Sequence, residues 1–286
     1  MTAPAKINLT LEILARRSDG YHALRSVMVP IALADEVTVA PAPRFAFRCE
    51  PASLEEDNLV VRALGTIGLT AAPLAVALRK RIPVGAGLGG GSSDAATVLR
   101  AAMHGALGDV APVDWLAAAR ELGSDVPFFL VDAPAIVEGT GERVTALGRA
   151  PAWWAVVVVP PVPVATGRAY ALLDAARERT PMPSRPRASS ATLRCAEALQ
   201  RADLDAVTAT MTNDFEHVIA EEYPAVGDAL AALRGAGTAR PMLSGSGSAC
   251  FALSADEGGA RALAARVVLR EAAVHVVPFA QSGAWR

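Results

Sequence analysis

Residues 82–96 read IPVGAGLGGGSSDAA, and five of the seven positions 85–91 are glycine. A loop of this composition loses much backbone entropy when it is ordered, because glycine is the least restricted residue in an unfolded chain. Apolar residues then recur at three- and four-residue spacings, which predicts a helix over residues 92–107. We expect Ser92 or Ser93 to be the N-cap of this helix.

A glycine-rich segment that leads into a helix is a known arrangement for binding phosphate. The first backbone N–H groups of a helix have no intrahelical acceptor, and the helix dipole adds positive potential there. Asp94 would lie in the first turn, where a negative charge is favoured. The alternative is a flexible linker, but linkers seldom lie between a strand and a well-formed helix. We therefore predict an anion-binding loop.

The loop differs from the two most familiar phosphate motifs. A Walker A loop requires GxxxxGK[ST], and no lysine lies near Ser92. GxGxxG does occur from Gly85, but a dinucleotide site expects it in an initial βαβ unit, with an acidic residue about 20 positions later. His104 and Gly105 stand there instead.

Composition excludes several classes of protein. The chain has 286 residues, of which 52% are hydrophobic and 20% charged, so it can bury a large core. A formal charge of −2 gives no general attraction to nucleic acid. The three cysteines form no CxxC pair, the four histidines form no metal-binding motif, and no apolar run is long enough to cross a membrane. We expect a cytoplasmic protein without a structural metal site.

Lysine is rare in this chain, since only Lys6 and Lys80 accompany 25 arginines. Lys6 stands in the segment PAKIN, whose alternating pattern predicts a strand. On a strand, Lys6 and Asn8 point to the same face and could contact a polar substrate together. A surface lysine on an edge strand is the alternative.

Two further segments are candidates for chemistry. Asp125 precedes the apolar run VPFFL, and a carboxylate there could accept a proton during phosphoryl transfer to an alcohol. A turn or N-cap aspartate is the alternative. The segment LSGSGSACF (residues 243–251) could close around a ligand, or it could be a tight turn before a buried strand.

Strand and helix patterns alternate along the whole chain, and we place a domain boundary near residue 150, giving domains 1–150 and 151–286. An Asp19-Gly20 turn predicts a hairpin over residues 5–32. Further helices are predicted at 59–68, 114–122, 167–177, 191–202, 204–212, 225–234 and 257–271, further strands at 74–78, 153–159, 249–253 and 274–279, and an exposed loop at 180–190.

Together these segments resemble the GHMP kinase superfamily, which includes galactokinase, homoserine kinase and mevalonate kinase. The resemblance is carried by PAKINLTLEILARRSDGYHAL, EDNLVVRA, PVGAGLGGGSSDAATVL, LGSDVPFFL, EGTGE, NDFE and LSGSGSACF. It implies an α+β fold in two parts, an N-terminal domain like ribosomal protein S5 and a C-terminal ferredoxin-like α/β sandwich, with the active site in the cleft between them. The extra glycines after Leu88 resemble the loop of the family branch that phosphorylates 4-diphosphocytidyl-2-C-methyl-D-erythritol.

The resemblance also implies roles for individual residues. Asp125 would be the catalytic base and Lys6 its charged partner. Tyr21, His22 and, by a looser match, Tyr170 would bind the cytosine, with Asn8 near the reacting polyol. Gly245 and Ser246 would line the opposite side of the cleft. The ATP-binding residues would be Asn58, Pro83, Val84, Gly85, Ala86, Gly87, Leu88, Gly89, Gly90, Gly91, Ser92 and Ser93.

The activity implied is ATP-dependent phosphorylation of the 2-hydroxyl of that substrate, in the non-mevalonate route to isoprenoid precursors. Mg²⁺ would accompany ATP, with Ser93 as one candidate ligand. The partner would be a small molecule with a cytidine diphosphate moiety, not nucleic acid or a membrane, and the protein would be a monomer or weak homodimer. The alternatives are another GHMP kinase of the mevalonate or homoserine type, and a non-catalytic nucleotide-binding regulator on the same fold.

Overall fold

A computed structural model describes residues 1–18, 20–180, 190–238, 240–281 and 283. The strands are β1 (Thr2–Arg16), β2 (His22–Pro41), β3 (Ala46–Glu50), β4 (Leu74–Arg79), β5 (Ala135–Gly139), β6 (Arg143–Ala146), β7 (Trp154–Val159), β8 (Thr212–Asn213), β9 (Met242–Leu243), β10 (Cys250–Ser254) and β11 (Ala273–Pro278). The α-helices are α1 (Leu59–Thr66), α2 (Gly90–Met103), α3 (Trp115–Leu122), α4 (Val126–Leu130), α5 (Thr166–Arg179), α6 (Ala191–Gln200), α7 (Leu204–Thr210), α8 (Glu216–Glu222), α9 (Pro224–Gly235) and α10 (Glu257–Ala264).

The first sheet has seven strands and is built on the long antiparallel hairpin of β1 and β2. Its main path runs β3-β4-β2-β1-β8, and β5 and β6 continue from the part of β2 nearest its start. Helices α1 to α4 share one buried core with this sheet. Along β1 the apolar positions and the intervening polar positions are both buried, because both faces of the strand are covered.

The second sheet has four antiparallel strands in the order β11-β7-β10-β9. One face of β7, with Val156 and Val158, packs into a core shared with α5, α8, α9 and α10. The other face, with Val157 and Val159, packs into a core that also contains residues of β1, β2 and α6. The two sheets therefore enclose a common apolar layer, which holds the halves of the chain together.

The hairpin is confirmed, although β2 continues to Pro41, well beyond the predicted end at residue 32. Both glycine-rich turns and the predicted strands at 74–78, 153–159, 249–253 and 274–279 are confirmed to within a few residues. Strands β3, β5, β6, β8 and β9 and helices α4 and α8 were not predicted. The predicted helix at 257–271 is wrong beyond Ala264, and that at 204–212 ends at Thr210, because residues 212–213 pair in parallel with β1. Asp19 and residues 181–189 of the predicted loop lie outside the described residues.

The expected α+β architecture is confirmed, since both halves of the chain combine helices with a sheet. A boundary near residue 150 remains a prediction, and β8, from the second half, joins the first sheet. In the part of the chain that the structure describes, no helix has the length and apolar character needed to cross a bilayer.

Candidate active site

Helix α2 begins two residues earlier than the sequence predicts. Gly89 is its N-cap, with a φ of 73°, in place of Ser92 or Ser93. A positive φ of this size is readily adopted by glycine and seldom by serine, which explains why the helix starts inside the glycine run. Asp94 is consequently the fifth helical residue and not a first-turn residue.

The glycine loop (residues 83–93) and the beginning of α2 face an open cleft of about 460 Å³. Residues 83–92 all line this cleft. Because the leading N–H groups of a helix lack intrahelical acceptors, they are donors for an anion placed there.

A second glycine loop (residues 244–249) packs directly against the first. The Ser244 hydroxyl donates a hydrogen bond to the Gly87 carbonyl over 3.1 Å, and the Ala249 N–H donates to the Ala86 carbonyl over 3.0 Å. A Cβ atom on Gly87 would overlap the carbonyl oxygen of Ser244 and lie 2.9 Å from the Gly247 nitrogen. The two backbones therefore approach as closely as only glycine at position 87 permits.

Lys6, Asn8 and Asp125 form a polar group at the floor of the cleft. Lys6 lies on β1 and is 3% exposed, and its Nζ donates to Asn8 Oδ1 over 2.5 Å. The same Nζ is 3.7 Å from Asp125 Oδ2. Burial lowers the pKa of Lys6 below its usual value, and the negative charge of Asp125 opposes that shift. The prediction that Lys6 and Asn8 share a face agrees with this contact.

Asp125 occupies the N-cap position of α4 but does not cap the helix. Its side chain makes no capping hydrogen bond, and Pro127 stands within the first turn. The carboxylate instead approaches Lys6 and is 29% exposed. An N-cap aspartate normally bonds to an N–H of the first turn, so this carboxylate remains available to a ligand in the cleft.

Lys80, the second lysine, lies at the centre of a buried ionic cluster under the glycine loop. Its Nζ donates to Asp35 Oδ2 and to Asp94 Oδ2, each over 2.5 Å. Asp35 Oδ1 also accepts the Ile82 N–H over 2.8 Å, where the glycine loop leaves β4. Burial lowers the pKa of Lys80, but the two carboxylates outweigh it and raise the pKa above its usual value. The cluster thus ties the start of the loop to β2 and α2.

This cluster predicts a pH-dependent contribution to stability. Burial and the charge of Asp35, opposed by Lys80, raise the pKa of Asp94 from 3.8 to about 7. Between these values the folded protein keeps a proton that the unfolded chain releases, so this contribution to the free energy of unfolding decreases as the pH rises through that window. Asp94→Asn removes the contribution. Urea titrations at several pH values should therefore give a less negative pH slope for Asp94→Asn than for the wild type.

The matched control is Asp109→Asn, which changes an exposed aspartate in the loop after α2. Its pH slope is expected to follow the wild type. If Asp94→Asn and the wild type had the same slope across this pH window, the Asp94 carboxylate would not be the source of the pH dependence of stability.

An aromatic group of three residues adjoins the cleft. Tyr170 of α5 lines the cleft, and its ring stacks on His22, with centroids 4.9 Å apart and an interplanar angle of 18°. Phe215 packs edge-on against Tyr170 at 4.9 Å. Burial and two nearby carboxylates raise the pKa of Tyr170 to about 12, so its phenol is neutral. Tyr21, which precedes His22 in the chain, is 68% exposed.

The cleft brings together most of the residues predicted from the sequence. Its lining includes Lys6, Asn8, Asn58, residues 83–92, Asp125, Tyr170, Gly245 and Ser246. Tyr21 and His22 are not part of this lining, and the side chain of Ser93 is fully buried. The Asn58 side chain caps α1 by accepting the Val60 N–H over 2.9 Å. The individual roles of all these residues remain predictions.

Sequence reasoning gave no role to several residues that contribute to the cleft. Lys80, Asp94, Thr166 and Phe215 line it, and Thr166 bonds to the Ser246 hydroxyl over 3.2 Å. The rarity of lysine in this chain could have identified Lys80 as a candidate site residue. Among the residues that the structure describes, no three His, Cys, Asp or Glu side chains are grouped so as to hold a metal ion.

Comparison with known proteins agrees with this geometry. The family described as GHMP kinases N terminal domain matches residues 58–133, and GHMP kinases C terminal matches residues 195–272. A 4-diphosphocytidyl-2-C-methyl-D-erythritol kinase from Heliobacterium modesticaldum is 39% identical over 93% of this chain and 89% of its own.

Solved structures give the same result. The crystal structure of a 4-(cytidine 5'-diphospho)-2C-methyl-D-erythritol kinase superposes with a TM-score of 0.77 at 36% identity, covering 97% of this chain and 98% of the other. A homoserine kinase from Cytophaga hutchinsonii has a TM-score of 0.69 at 19% identity, covering 99% and 95%, and so shares the fold. The chain belongs to the GHMP kinase family, and within it to the 4-diphosphocytidyl-2-C-methyl-D-erythritol kinases.

Proposed function

We propose that this protein transfers the γ-phosphoryl group of ATP to the 2-hydroxyl of 4-diphosphocytidyl-2-C-methyl-D-erythritol, a step in non-mevalonate isoprenoid synthesis. The observation that carries the proposal is the Lys6–Asp125 pair, with 3.7 Å between Nζ and Oδ2, in the same cleft as the N-terminus of α2. A proton acceptor, a cation and a phosphate-binding loop are the parts that phosphoryl transfer to an alcohol requires.

Asp125 acts as the general base in this proposal. Its carboxylate takes the proton of the substrate hydroxyl while that oxygen forms a bond to the γ-phosphorus. The bond between this phosphorus and the bridging oxygen breaks, and ADP leaves with the electron pair. The proton on Asp125 is then lost to solvent. Proton removal by a positioned base typically accelerates a reaction by about 10²–10⁴-fold.

Lys6 and the glycine loop stabilise the charge that develops. The Lys6 ammonium is oriented by Asn8 at 2.5 Å and lies beside the carboxylate, so it offsets negative charge at the reacting oxygens. The N–H groups at the start of α2 bind the phosphates of ATP. The preorganised donors need no rearrangement during the reaction, and this gain offsets the entropy lost when the glycines are ordered.

Mg²⁺ would accompany ATP in the cleft and would offset negative charge on the phosphate oxygens. Ser93, the ligand considered from the sequence, has a hydroxyl that is buried without a hydrogen-bond partner in the described part of the chain, as Asp94 Oδ1 is. Because Ser93 lies outside the cleft lining, we propose no contact between that hydroxyl and the ion. Asp94 lines the cleft, and its Oδ1 is buried without a hydrogen-bond partner in the described part of the chain. Asp94 is therefore the acidic group that we propose for contact with this cation, directly or through water.

The cytidine diphosphate end of the substrate lies toward Tyr170, with Tyr21 and His22 beside it. Support comes from the aromatic stack of His22 on Tyr170 at the end of the cleft and from the exposed ring of Tyr21. Aromatic rings of this kind bind a flat nucleobase by stacking. Gly245 and Ser246 line the cleft beside the glycine loop, where Gly245 lies close to Gly87, and would exclude water from the reacting groups.

A substrate panel distinguishes this function from its alternatives. We would measure ADP release with MgATP and four alcohols: 4-diphosphocytidyl-2-C-methyl-D-erythritol, mevalonate, homoserine and galactose. Turnover with the cytidyl substrate alone is expected. Turnover with mevalonate or homoserine would show that the protein is a kinase but would contradict the assignment of a cytosine-binding pocket. ATP binding without turnover of any alcohol would identify a nucleotide-binding regulator.

A further inference from the structure

Asp174 is a residue of α5 to which neither the sequence nor the reaction gives a role. Its Oδ1 lies 2.8 Å from Nε2 of His22, which is at the start of β2. The His22 side chain is 7% exposed and that of Asp174 is 34% exposed. Solvent therefore competes little for the imidazole, which the Asp174 carboxylate contacts within hydrogen-bond distance.

One face of α5 is directed at the hairpin of β1 and β2. Tyr170, Asp174 and Arg177 recur at i, i+4 and i+7, which places them on one side of the helix. Arg177 donates to the Ile13 carbonyl over 2.8 Å and to Asp214 over 3.0 Å. These contacts hold α5 against the hairpin, so Asp174 and His22 meet in a fixed position.

The chemistry of a carboxylate determines which ring nitrogen of a neutral His22 carries the proton. An ionised aspartate can only accept hydrogen bonds, so the imidazole must donate to it from Nε2. The lone pair is then on Nδ1, which can only accept. The lone pair of Nδ1 lies in the ring plane, so the further hydrogen bond of His22 forms at the ring edge and does not compete with Tyr170, which stacks on a face of the ring.

We propose that Asp174 is a positioning residue that holds His22 as the Nε2–H tautomer, so that Nδ1 accepts a hydrogen bond from the exocyclic amino group of a cytosine base. The inference rests on the proposed function, since it takes the substrate to carry cytidine. Uracil presents a carbonyl oxygen where cytosine presents the amino group. Two acceptors would then face each other, and leaving buried polar groups unpaired is costly. Asp174 thereby contributes to selection of cytosine over uracil.

Steady-state kinetics with the cytidine substrate and its uridine diphosphate analogue test this role. In Asp174→Ala, KM for the cytidine substrate is expected to rise roughly 10-fold, and the preference for cytidine to fall by a similar factor, as for loss of one buried hydrogen bond. KM for ATP and kcat should stay within about twofold, because the glycine loop and Asp125 are unchanged. Asp174→Glu retains a carboxylate and should restore much of the preference.

Asp228→Asn is the matched control, since it changes an exposed aspartate on α9. An unchanged cytidine preference in Asp174→Ala, with kinetics equal to this control, would overturn the inference. If the wild type itself failed to phosphorylate the cytidine substrate, the proposed function would fail instead.

The tautomer can be tested without any turnover. The ¹⁵N shifts of the imidazole ring, recorded on the wild-type protein and assigned with His22→Gln, distinguish the two nitrogens. We expect the protonated nitrogen of neutral His22 to be Nε2, and a mixture of tautomers in Asp174→Ala. Finding Nδ1–H in the wild type would contradict the proposal whatever the kinetics show.

Discussion

Asp125→Asn is expected to lower kcat about 10³-fold while leaving the affinity for ATP nearly unchanged. The amide has the size and shape of the carboxylate but cannot accept the hydroxyl proton. Because the base acts in the transition state, kcat and kcat/KM should fall together. The measurement is ADP release at saturating MgATP, combined with a binding titration of a nonhydrolysable ATP analogue.

The chain offers a close control for this change. Asp114 is also an N-cap aspartate, and its side chain accepts the Ala117 N–H at the start of α3. Asparagine caps a helix about as well as aspartate, so Asp114→Asn should keep both activity and stability. An Asp125→Asn enzyme with kcat within tenfold of this control would exclude Asp125 as the base.

Gly87→Ala should disrupt the site through a contact between two backbones. The added Cβ overlaps the Ser244 carbonyl, so one of the two glycine loops must move. A displacement of about 1 Å in positioning groups can cost about 10²-fold in rate, and we expect a loss of that size in kcat/KM for ATP. Steady-state kinetics at varied MgATP and urea unfolding would measure the effect on activity and stability.

Gly105→Ala separates the steric contact from the cost of the backbone angle. Gly105 has a φ of 74°, the same as Gly87, but a Cβ there meets nothing within 4 Å. Both variants therefore lose about 1–3 kcal/mol of stability through the left-handed conformation. Only Gly87→Ala should lose activity. Equal activity in the two variants would show that the contact with Ser244 has no functional importance.

Sequence patterns were informative where one local rule decided the structure. The alternation along β1 correctly places Lys6 and Asn8 on one face, and α3 ends at residue 122 as predicted. The predicted N-cap of α2, Ser92 or Ser93, was wrong. The helix begins after Gly89, which adopts a left-handed conformation, and a pattern of residue types does not reveal the φ angle.

Long-range contacts were beyond the reach of these rules. Asp35 and Lys80 are 45 positions apart, and no spacing rule connects them. Strand β8 has two residues, too few for an alternation to be read, and it forms only by pairing with β1. His22 and Tyr170 were both predicted to contact cytosine, but their stack on each other, and the contact with Asp174, depend on how α5 packs against the hairpin.

The most direct test of the account is ³¹P NMR of the products formed from MgATP and 4-diphosphocytidyl-2-C-methyl-D-erythritol. We predict that the wild type converts ATP to ADP and produces one new phosphomonoester signal with the diphosphate signals retained. This signal should lack the H–C–O–P splitting of the other hydroxyl positions, because carbon 2 of the polyol carries a methyl group and no hydrogen. Asp125→Asn should give none in the same time. A phosphate on any other hydroxyl, or ADP release without a phosphorylated polyol, would contradict the account.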